Sequence, residues 1–194
     1  MRIQVCAECH ITYYFNQNTG ALSIPWEQPP DLNAVVHYFS STYPYREWLH
    51  AMTGARLAKL RHPDYEFFLG GSHSVAGVAC ADCHMPFTMI GNQKITSHDF
   101  ASPLSNPSTS CGVCHRQSDD YLRERVRQAQ EDVTRLLSQV EEELVRSITM
   151  LRGAIGTPGA DAEMINRAQE LHFRAFLRYD WVFSANSHGF HNPR

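Results

Sequence analysis

The 194-residue sequence has no long apolar run and no cysteine outside three short motifs. Its apolar runs fall well short of the roughly 20 residues that a membrane-spanning helix requires, so no segment is expected to cross a bilayer. The formal net charge of −3 is too small to indicate binding to nucleic acid or to a membrane surface. Apart from the three motifs there is no internal repeat and no low-complexity stretch. These absences predict a globular chain of one or two domains.

A secretory leader is also missing before the first cysteine. Only Met1–Val5 precede Cys6, which leaves no room for the apolar core of a signal peptide.

All six cysteines fall in three C-x-x-C-H motifs, in which a histidine directly follows each cysteine pair. Two cysteines one helical turn apart can form thioethers to the two vinyl groups of one haem, and the adjacent histidine then lies under the iron. The motifs are Cys6-Ala7-Glu8-Cys9-His10, Cys80-Ala81-Asp82-Cys83-His84 and Cys111-Gly112-Val113-Cys114-His115.

Three other interpretations of paired cysteines are zinc knuckles, a thioredoxin-like redox motif and halves of disulfides. None of them requires a histidine after every pair. The sequence therefore predicts three covalently attached haem c groups, held by all six cysteines and by the iron ligands His10, His84 and His115. Because c-type haem is attached outside the cytoplasm, the missing leader suggests that the chain is a fragment of a periplasmic protein.

The predicted fold class is mainly α: a multihaem cytochrome c with short helices and loops around haems, followed by a long antiparallel helical hairpin. Residues 1–118 contain the three motifs and many prolines, which permit only short helices, one at about 45–60 and one after each motif. Residues 119–155 carry apolar residues at spacings of three and four, which predicts one long amphipathic helix. A second helix is predicted at about 161–183. The chain is thus divided into a haem-binding region, 1–118, and a hairpin, 119–194, that ends in a haem-ligand loop.

The apolar stripe of the long helix has two interpretations. It can be simple core packing, or part of it can be a subunit interface, because a helix of this length exceeds what a small haem core can cover.

The segments that flank the motifs, in their order and spacing, closely resemble the pentahaem cytochrome c nitrite reductases, which reduce nitrite to ammonia. The resemblance covers essentially the whole chain. It rests on Cys6–Phe15, Pro25-Trp26, Trp48, Lys59–Glu66, Gly71–His73, Cys83–Pro86, Thr96–His98 and Gly189–Pro193. Family members carry two earlier haem motifs, one of them C-x-x-C-K with the lysine on the catalytic haem, and a further C-terminal helix. On this comparison the chain is roughly the middle and back half of the enzyme, truncated at both ends and inactive alone, and five haems are expected in the parent protein.

The resemblance also implies the second iron ligands. His73 would bind the haem at Cys111–His115, and His191 the haem at Cys80–His84. His98 would reach a haem outside this sequence, and the haem at Cys6–His10 would take its second ligand from outside it as well. His37, His50, His172 and His188 match no ligand position, although His188 is close enough to His191 to substitute for it.

Tyr13 and His62 match the tyrosine and histidine of the family's distal pocket, which hydrogen-bond the bound nitrogen species and relay protons. From the residues alone, Tyr13 could equally be a packed aromatic beside Tyr14 and Phe15.

One departure from the family concerns calcium. Many members bind a calcium ion through a glutamate before the tyrosine and a glutamine before the histidine, positions that are Thr12 and Arg61 here. Arginine supplies no oxygen ligand and brings its own positive charge. We therefore expect no calcium, with the Arg61 guanidinium in its place and Lys59 lining the same pocket.

The leading function is the six-electron reduction of nitrite to ammonium. The alternatives are a non-catalytic electron-transfer cytochrome and another multihaem reductase, acting on hydroxylamine or tetrathionate. The resemblance further implies a quinol-linked cytochrome as electron donor, a homodimer through the long helices and no nucleic-acid partner.

Overall fold

The computed structural model describes residues 3–16, 18–24, 31–42 and 45–193. The Pro25-Trp26 pair of the resemblance lies outside the described residues. The described chain is mainly helical, as predicted. The helices are α1 Gln4–Ala7, α2 Leu32–His37, α3 Asp64–Leu69, α4 Ser72–Val75, α5 Cys80–His84, α6 Pro107–Ser110, α7 Asp119–Ile155 and α8 Ala162–Phe183. A π-helical turn, Tyr38–Thr42, extends α2, and a 3-10 turn, Pro103–Ser105, precedes α6.

The described strands form three small antiparallel pairs. They are β1 Tyr14–Phe15 with β2 Leu22–Ser23, β3 Trp48–Leu49 with β4 Arg56–Leu57, and β5 Phe87–Ile90 with β6 Gln93–Thr96.

The helix predicted at 45–60 is wrong, because β3 and β4 form a hairpin there. Trp48 pairs with Leu57 and Leu49 pairs with Arg56. Gly54, in the turn between the strands, has a φ of +63°, a left-handed conformation that favours glycine and ends regular helix. The hairpin was missed because its apolar residues also fit helical spacing.

The helices predicted to follow each motif are also wrong for the first two motifs. Strand β1 follows the first motif and the β5–β6 hairpin follows the second. Only the third motif leads into a helix, α7.

The two long helices are confirmed almost residue for residue. Ser118 caps α7 by accepting a hydrogen bond from the Tyr121 amide, and Asp161 caps α8 by accepting from Glu163 and Met164. Cross-contacts run in opposite directions along the helices, which makes the pair antiparallel: Gln130 with Ser187, Glu141 with Tyr179, and Ser147 with His172.

The apolar core joins α8 to the segment 31–60. Phe173, Leu177 and Trp181 of α8 are each at most 5% exposed. They belong to one buried cluster with residues from α2, β4 and their neighbours, whose other members include Val35, Val36, Phe39, Leu57 and Leu60. The core fixes α8 against residues 31–60. The division of the chain into two regions at residue 118 remains a prediction. Within the described residues no helix is long and apolar enough to span a bilayer.

Candidate haem centres and the adjacent pocket

Each C-x-x-C-H motif forms one tight helical turn. The His10 and His115 amides donate to the Cys6 and Cys111 carbonyls at 2.9 Å, and the second motif forms all of α5. Residues three and four apart lie on one face of such a turn. Both cysteines and the histidine of each motif are therefore presented together, as attachment to one haem requires.

No two of the six cysteines are joined in a disulfide. Burial, together with the nearby Cys6, raises the pKa of Cys80 to about 11. Burial and the Cys111 thiol raise the pKa of Cys83 to about 11. A raised pKa keeps these two thiols protonated, and therefore less reactive, at neutral pH.

The histidines of the second and third motifs each face a second histidine. The ring centres of His84 and His191 are 6.3 Å apart, and those of His73 and His115 are 6.2 Å apart. Two imidazoles that share one metal, each with its nitrogen about 2 Å away, place their ring centres on the order of 6 Å apart. Both pairs are those that the resemblance implies, and their spacing fits an iron between the rings.

One ring nitrogen of His84, Nδ1, is within hydrogen-bond distance of a backbone carbonyl. This nitrogen lies 3.2 Å from the Ala101 carbonyl oxygen. Such a partner fixes the proton on Nδ1 and leaves Nε2 for the metal.

His191 is better placed than His188 for the same site. Burial lowers the pKa of His191, against the opposing charge of Asp64, and a neutral imidazole is the form that binds metal. His188 is exposed and lies in the left-handed region at φ 49°. The loop that carries both residues is held close by Gly71, where a Cβ would come within 2.0 Å of the His191 carbonyl oxygen.

The surfaces around the motifs suit a large apolar group. A cavity of about 240 Å³ beside the second and third motifs is lined by Cys83, His84, Phe87 and Ser110 among others. Several large apolar side chains near the motifs are more than half exposed, and the flat face of a haem would cover such residues. They are Val5, Val75, Phe87, Met89, Ile90, Phe100 and Val113. The residues present therefore fit haem.

The first motif lies against the segment 61–66. The Tyr65 amide donates to the His10 carbonyl at 2.9 Å, and the Thr12 amide donates to Glu66 Oε1 at 2.7 Å. These two hydrogen bonds hold the segment that contains Tyr13 next to the segment that contains His62. The ring centres of His10 and His62 are 6.4 Å apart.

His62 itself has strained backbone. Its φ is 49°, a region that few residues other than glycine adopt, and Pro63 follows it. Such conformations persist where the surroundings enforce them and are frequent at functional sites. The His62 residue is exposed, so its imidazole is accessible to a ligand.

Arg61 is held by an anion that the sequence did not reveal. Its Nη2 pairs with Glu47 Oε1, the same oxygen to which the Tyr45 hydroxyl donates at 3.0 Å. Burial works to lower the pKa of Arg61, but Glu47 outweighs it and the net pKa is raised. Burial and Glu47 raise the pKa of Tyr45 to about 12. Arg61 Nη1 is buried and has no hydrogen-bond partner among the described residues.

Thr12 and Lys59, the other residues of the predicted calcium replacement, differ in exposure. Thr12 is fully buried, and its hydroxyl has no hydrogen-bond partner within the described ranges. Lys59 is exposed, and its backbone amide donates to Glu47 Oε2 at 3.0 Å.

The remaining histidines lie elsewhere. His98 is exposed just after β6 and has no paired histidine in the described part of the chain, and His37 is exposed on α2. His50 and His172 pair with each other at 6.2 Å, far from any C-x-x-C unit in sequence. Because their spacing equals that of the ligand pairs, the adjacent cysteines are what mark a haem site. No group of three or more His, Cys, Asp or Glu residues in the described ranges is arranged to hold a bare metal ion.

Three C-x-x-C-H turns, each with a second histidine ring centred 6.2–6.4 Å from that of its own histidine, define a c-type cytochrome. The family model for cytochrome c552 matches residues 1–194, so the chain belongs to the cytochrome c552 family, whose cofactor is haem c. It is 34% identical to a cytochrome c-552 of Bacteroides fragilis, over the whole chain and 39% of that protein. It is 33% identical to the cytochrome c nitrite reductase subunit NrfA of Nitratidesulfovibrio vulgaris, over the whole chain and 41% of that protein.

The fold matches a solved relative as well. A structure of the cytochrome c nitrite reductase of Desulfovibrio desulfuricans superposes with a TM-score of 0.90 at 33% identity, over 99% of this chain and 44% of that one. That catalytic subunit is described with two calcium sites. The chain thus spans about two fifths of the length of the relatives that it matches.

Proposed function

We propose that the protein to which this chain belongs reduces nitrite to ammonium, and that the chain supplies three electron-transfer haem sites and one side of the substrate pocket. The observation that carries the proposal is the hydrogen-bonded contact between segments 10–13 and 61–66. This contact supports a pocket beside the first haem motif to which Tyr13, Arg61 and His62 would contribute. A pure electron relay has no use for such a group of proton donors and positive charge.

At two of the haem sites the histidine pairs serve electron transfer. His73 with His115, and His84 with His191, would hold one haem iron each and exclude substrate from it. Haem c supplies the redox-active iron.

At the pocket the chain's residues serve substrate chemistry. Nitrite is an anion that must collect protons as it is reduced. The Arg61 guanidinium supplies positive charge, while the Tyr13 hydroxyl and the His62 imidazole are the proton donors. Tyr13 is within electrostatic reach of Arg61.

Arg61 also takes over the role of calcium in this proposal. An arginine paired with Glu47 puts a positive charge at that position, and this charge disfavours a divalent cation there. Calcium found by elemental analysis in stoichiometric amounts, or bound beside Tyr13 and Arg61 in a crystal structure, would overturn this part of the proposal.

The proposal includes a periplasmic location, a quinol-linked cytochrome as electron donor and a homodimer through the long helices. Support for the dimer comes from exposed apolar residues on α7, among them Leu136, Val140 and Met150.

The test uses the haem-loaded protein, expressed from its complete gene in a host that matures c-type cytochromes. Nitrite-dependent oxidation of reduced viologen is measured together with the ammonium formed. We expect six electrons consumed per ammonium, and at least tenfold lower kcat in Tyr13→Phe and His62→Asn, since one proton donor typically contributes 10²–10⁴-fold.

The matched control is Tyr14→Phe, which removes a hydroxyl from the neighbouring tyrosine. Tyr14 is 4% exposed, and its hydroxyl lies 2.9 Å from that of Tyr38 on the core side of β1. This variant is expected to lose stability while nitrite turnover is kept. A loaded protein that does not reduce nitrite would support the relay, whereas faster turnover of hydroxylamine or tetrathionate would support another reductase. A haem that becomes high-spin in His62→Asn would make His62 an iron ligand instead.

A further inference from the structure

Asp64 is a buried carboxylate at the start of α3, only 6% exposed. Asn186, in the loop after α8, donates a hydrogen bond to each oxygen of the Asp64 carboxylate. The Asn186 backbone amide donates to Oδ1 at 2.9 Å, and its side-chain amide donates to Oδ2 at 2.8 Å. The carboxylate is therefore fixed in position and orientation.

The other side of the same carboxylate faces two histidines. His10 Nδ1 lies 3.7 Å from Oδ2, and His191 Nδ1 lies 3.9 Å from Oδ1. His10 belongs to the first haem motif, while His191 pairs with His84 of the second. One carboxylate thus lies between the ligand imidazoles of two different haem sites.

This arrangement has an electrostatic consequence. When a histidine binds iron through Nε2, its Nδ1 proton points at an outer partner, and a carboxylate there makes the imidazole a stronger donor to the metal. A negative charge close to the site also favours the oxidised iron, which carries one more positive charge. Among the described residues the two imidazoles are the only basic side chains in ion-pair range of Asp64. No lysine or arginine there offsets its charge.

We propose that Asp64 is a positioning residue shared by two haems, which orients His10 and His191 and lowers the reduction potentials of both irons together. The inference rests on the haem assignment of the proposed function but not on the substrate. A single side chain then keeps two neighbouring relay sites matched in potential.

The test is Asp64→Asn in the haem-loaded protein, with reduction potentials followed by EPR and visible spectroscopy. The variant keeps the side-chain shape and removes the charge. We expect two low-spin haems to shift to higher potential, each by about tenfold in the ratio of reduced to oxidised iron at fixed potential, which is about 59 mV for one electron. Asp64→Glu keeps the charge, so both reduction potentials are expected to stay close to those of the wild type.

The matched control is Asp180→Asn. Asp180 is also buried, at 1% exposure, but it accepts from the Leu60 backbone amide at 2.6 Å instead of facing iron ligands. This change should destabilise the fold and leave both potentials where they are. Equal shifts in Asp64→Asn and Asp180→Asn would mean a general effect of lost packing and would overturn the proposal.

A second variant covers failure of Asp64→Asn to load haem. Asn186→Ala removes the side-chain donor to Oδ2 and leaves the carboxylate a stronger acceptor for His10, so the potential of that haem should move down, opposite to the effect of Asp64→Asn. Unchanged potentials in this variant, or a shift of only one haem in Asp64→Asn, would overturn the shared role. Absence of low-spin bis-histidine signals in the wild type would overturn the haem assignment itself, while loss of nitrite turnover alone would bear only on the proposed function.

Discussion

The positions of the histidines proposed as haem ligands depend on individual residues that have no reactive side chain. Gly71 precedes His73 by two residues and lies against the His191 backbone, where a Cβ would be within 2.0 Å of a carbonyl oxygen. Such an overlap with backbone cannot be relieved by a side-chain rotation, so the two ligand segments can meet only at glycine.

For Gly71→Ala we expect the 189–193 loop to move away and the haem at Cys80–His84 to lose its second ligand. Visible and EPR spectra of the loaded variant should show one low-spin haem converted to high-spin. The control is Gly77→Ala, a glycine in the same segment with no atom within 4 Å of its would-be Cβ. That glycine has a φ of +80°, so the control costs stability but should keep every haem low-spin. A low-spin Gly71→Ala protein would contradict the expectation.

Glu47 is the residue that keeps the Arg61 charge in place. In Glu47→Gln the Arg61 guanidinium loses its ion pair. The Tyr45 hydroxyl and the Lys59 backbone amide lose the negatively charged acceptor that they share with Arg61. We expect about a tenfold rise in KM for nitrite, because a positive charge that is no longer held binds the anion less well.

The measurement for Glu47→Gln is steady-state nitrite kinetics of the loaded protein, with Glu170→Gln as control. Glu170 pairs with Arg46 in the same way but on α8, away from the pocket. Equal effects of the two substitutions on KM would argue against a role for Glu47.

At this scale the sequence predicted the residues with distinctive chemistry and missed those that hold them. The C-x-x-C-H motifs can be recognised from sequence, because few other sites need those residues at that spacing. Glu47, Asp64 and Asn186 act only through contacts made in the folded chain, from segments far apart in sequence. Asp64 directly follows the His62-Pro63 pair, and that adjacency was the one signal available for it.

Among the elements, α8 packs against residues 31–60 as well as forming half of the helical hairpin. Its inner face contributes Leu177, which is fully buried, to the core with residues 31–60, while Leu171 on the same helix is 58% exposed. The two leucines therefore offer the same substitution in opposite environments.

Leu177→Ala should lower the free energy of unfolding by about 2–5 kcal/mol, as buried leucine truncations do. Leu171→Ala should change it by less than about 0.5 kcal/mol, as exposed substitutions do. Thermal and denaturant unfolding of the loaded protein measures both. Similar losses would mean that Leu171 is buried in an assembly.

The α7–α8 contact also contains a buried histidine. His172 Nδ1 lies 2.7 Å from the Ser147 hydroxyl, and burial followed by the neighbouring His50 lowers the pKa of His172. Because the folded pKa lies below the unfolded value of about 6.5, the unfolded state takes up the proton first as the pH falls. Stability is thus complete above about pH 6.5 and declines below it, by about 1.4 kcal/mol for each unit of pKa difference.

We expect His172→Gln, which can still bond Ser147, to flatten this acid-side decline in unfolding free energy measured from pH 7.5 to 5. His37→Gln, an exposed histidine on α2, is the control and should leave the slope unchanged. An unaltered slope in His172→Gln would place the acid sensitivity elsewhere.

Element type was predictable where one period dominates the pattern. The apolar stripe defined α7 from sequence, and the caps that the structure shows at Ser118 and Asp161 lie at the predicted starts of the two long helices. Residues 45–60 were not predictable, because short strands leave too few residues to distinguish a period of two from one of 3.6. Only Gly54 pointed to a turn there.

For the whole molecule, the apolar residues left exposed on α7 bear on assembly. Leu136 and Val140 lie one turn apart, and both are more than 40% exposed. The proposed homodimer would cover them.

Val140→Glu is expected to give a monomer, because a charge placed in an apolar contact is left without a partner. Light scattering after size-exclusion chromatography measures the mass. Gln139→Glu, an added charge at the adjacent polar position, should leave the mass unchanged. A Val140→Glu dimer would show that this stripe of α7 is not the interface.

The pairing of His84 with His191 also has a consequence for how the protein matures. In the proposed arrangement, the two cysteines that would hold that haem come before both long helices in the chain, and its second ligand would come after them. Attachment of the haem can therefore precede completion of its coordination, which must await docking of the hairpin. The spin state of this one iron would then report, as a colour change during biogenesis, the moment at which the two halves of the chain have come together.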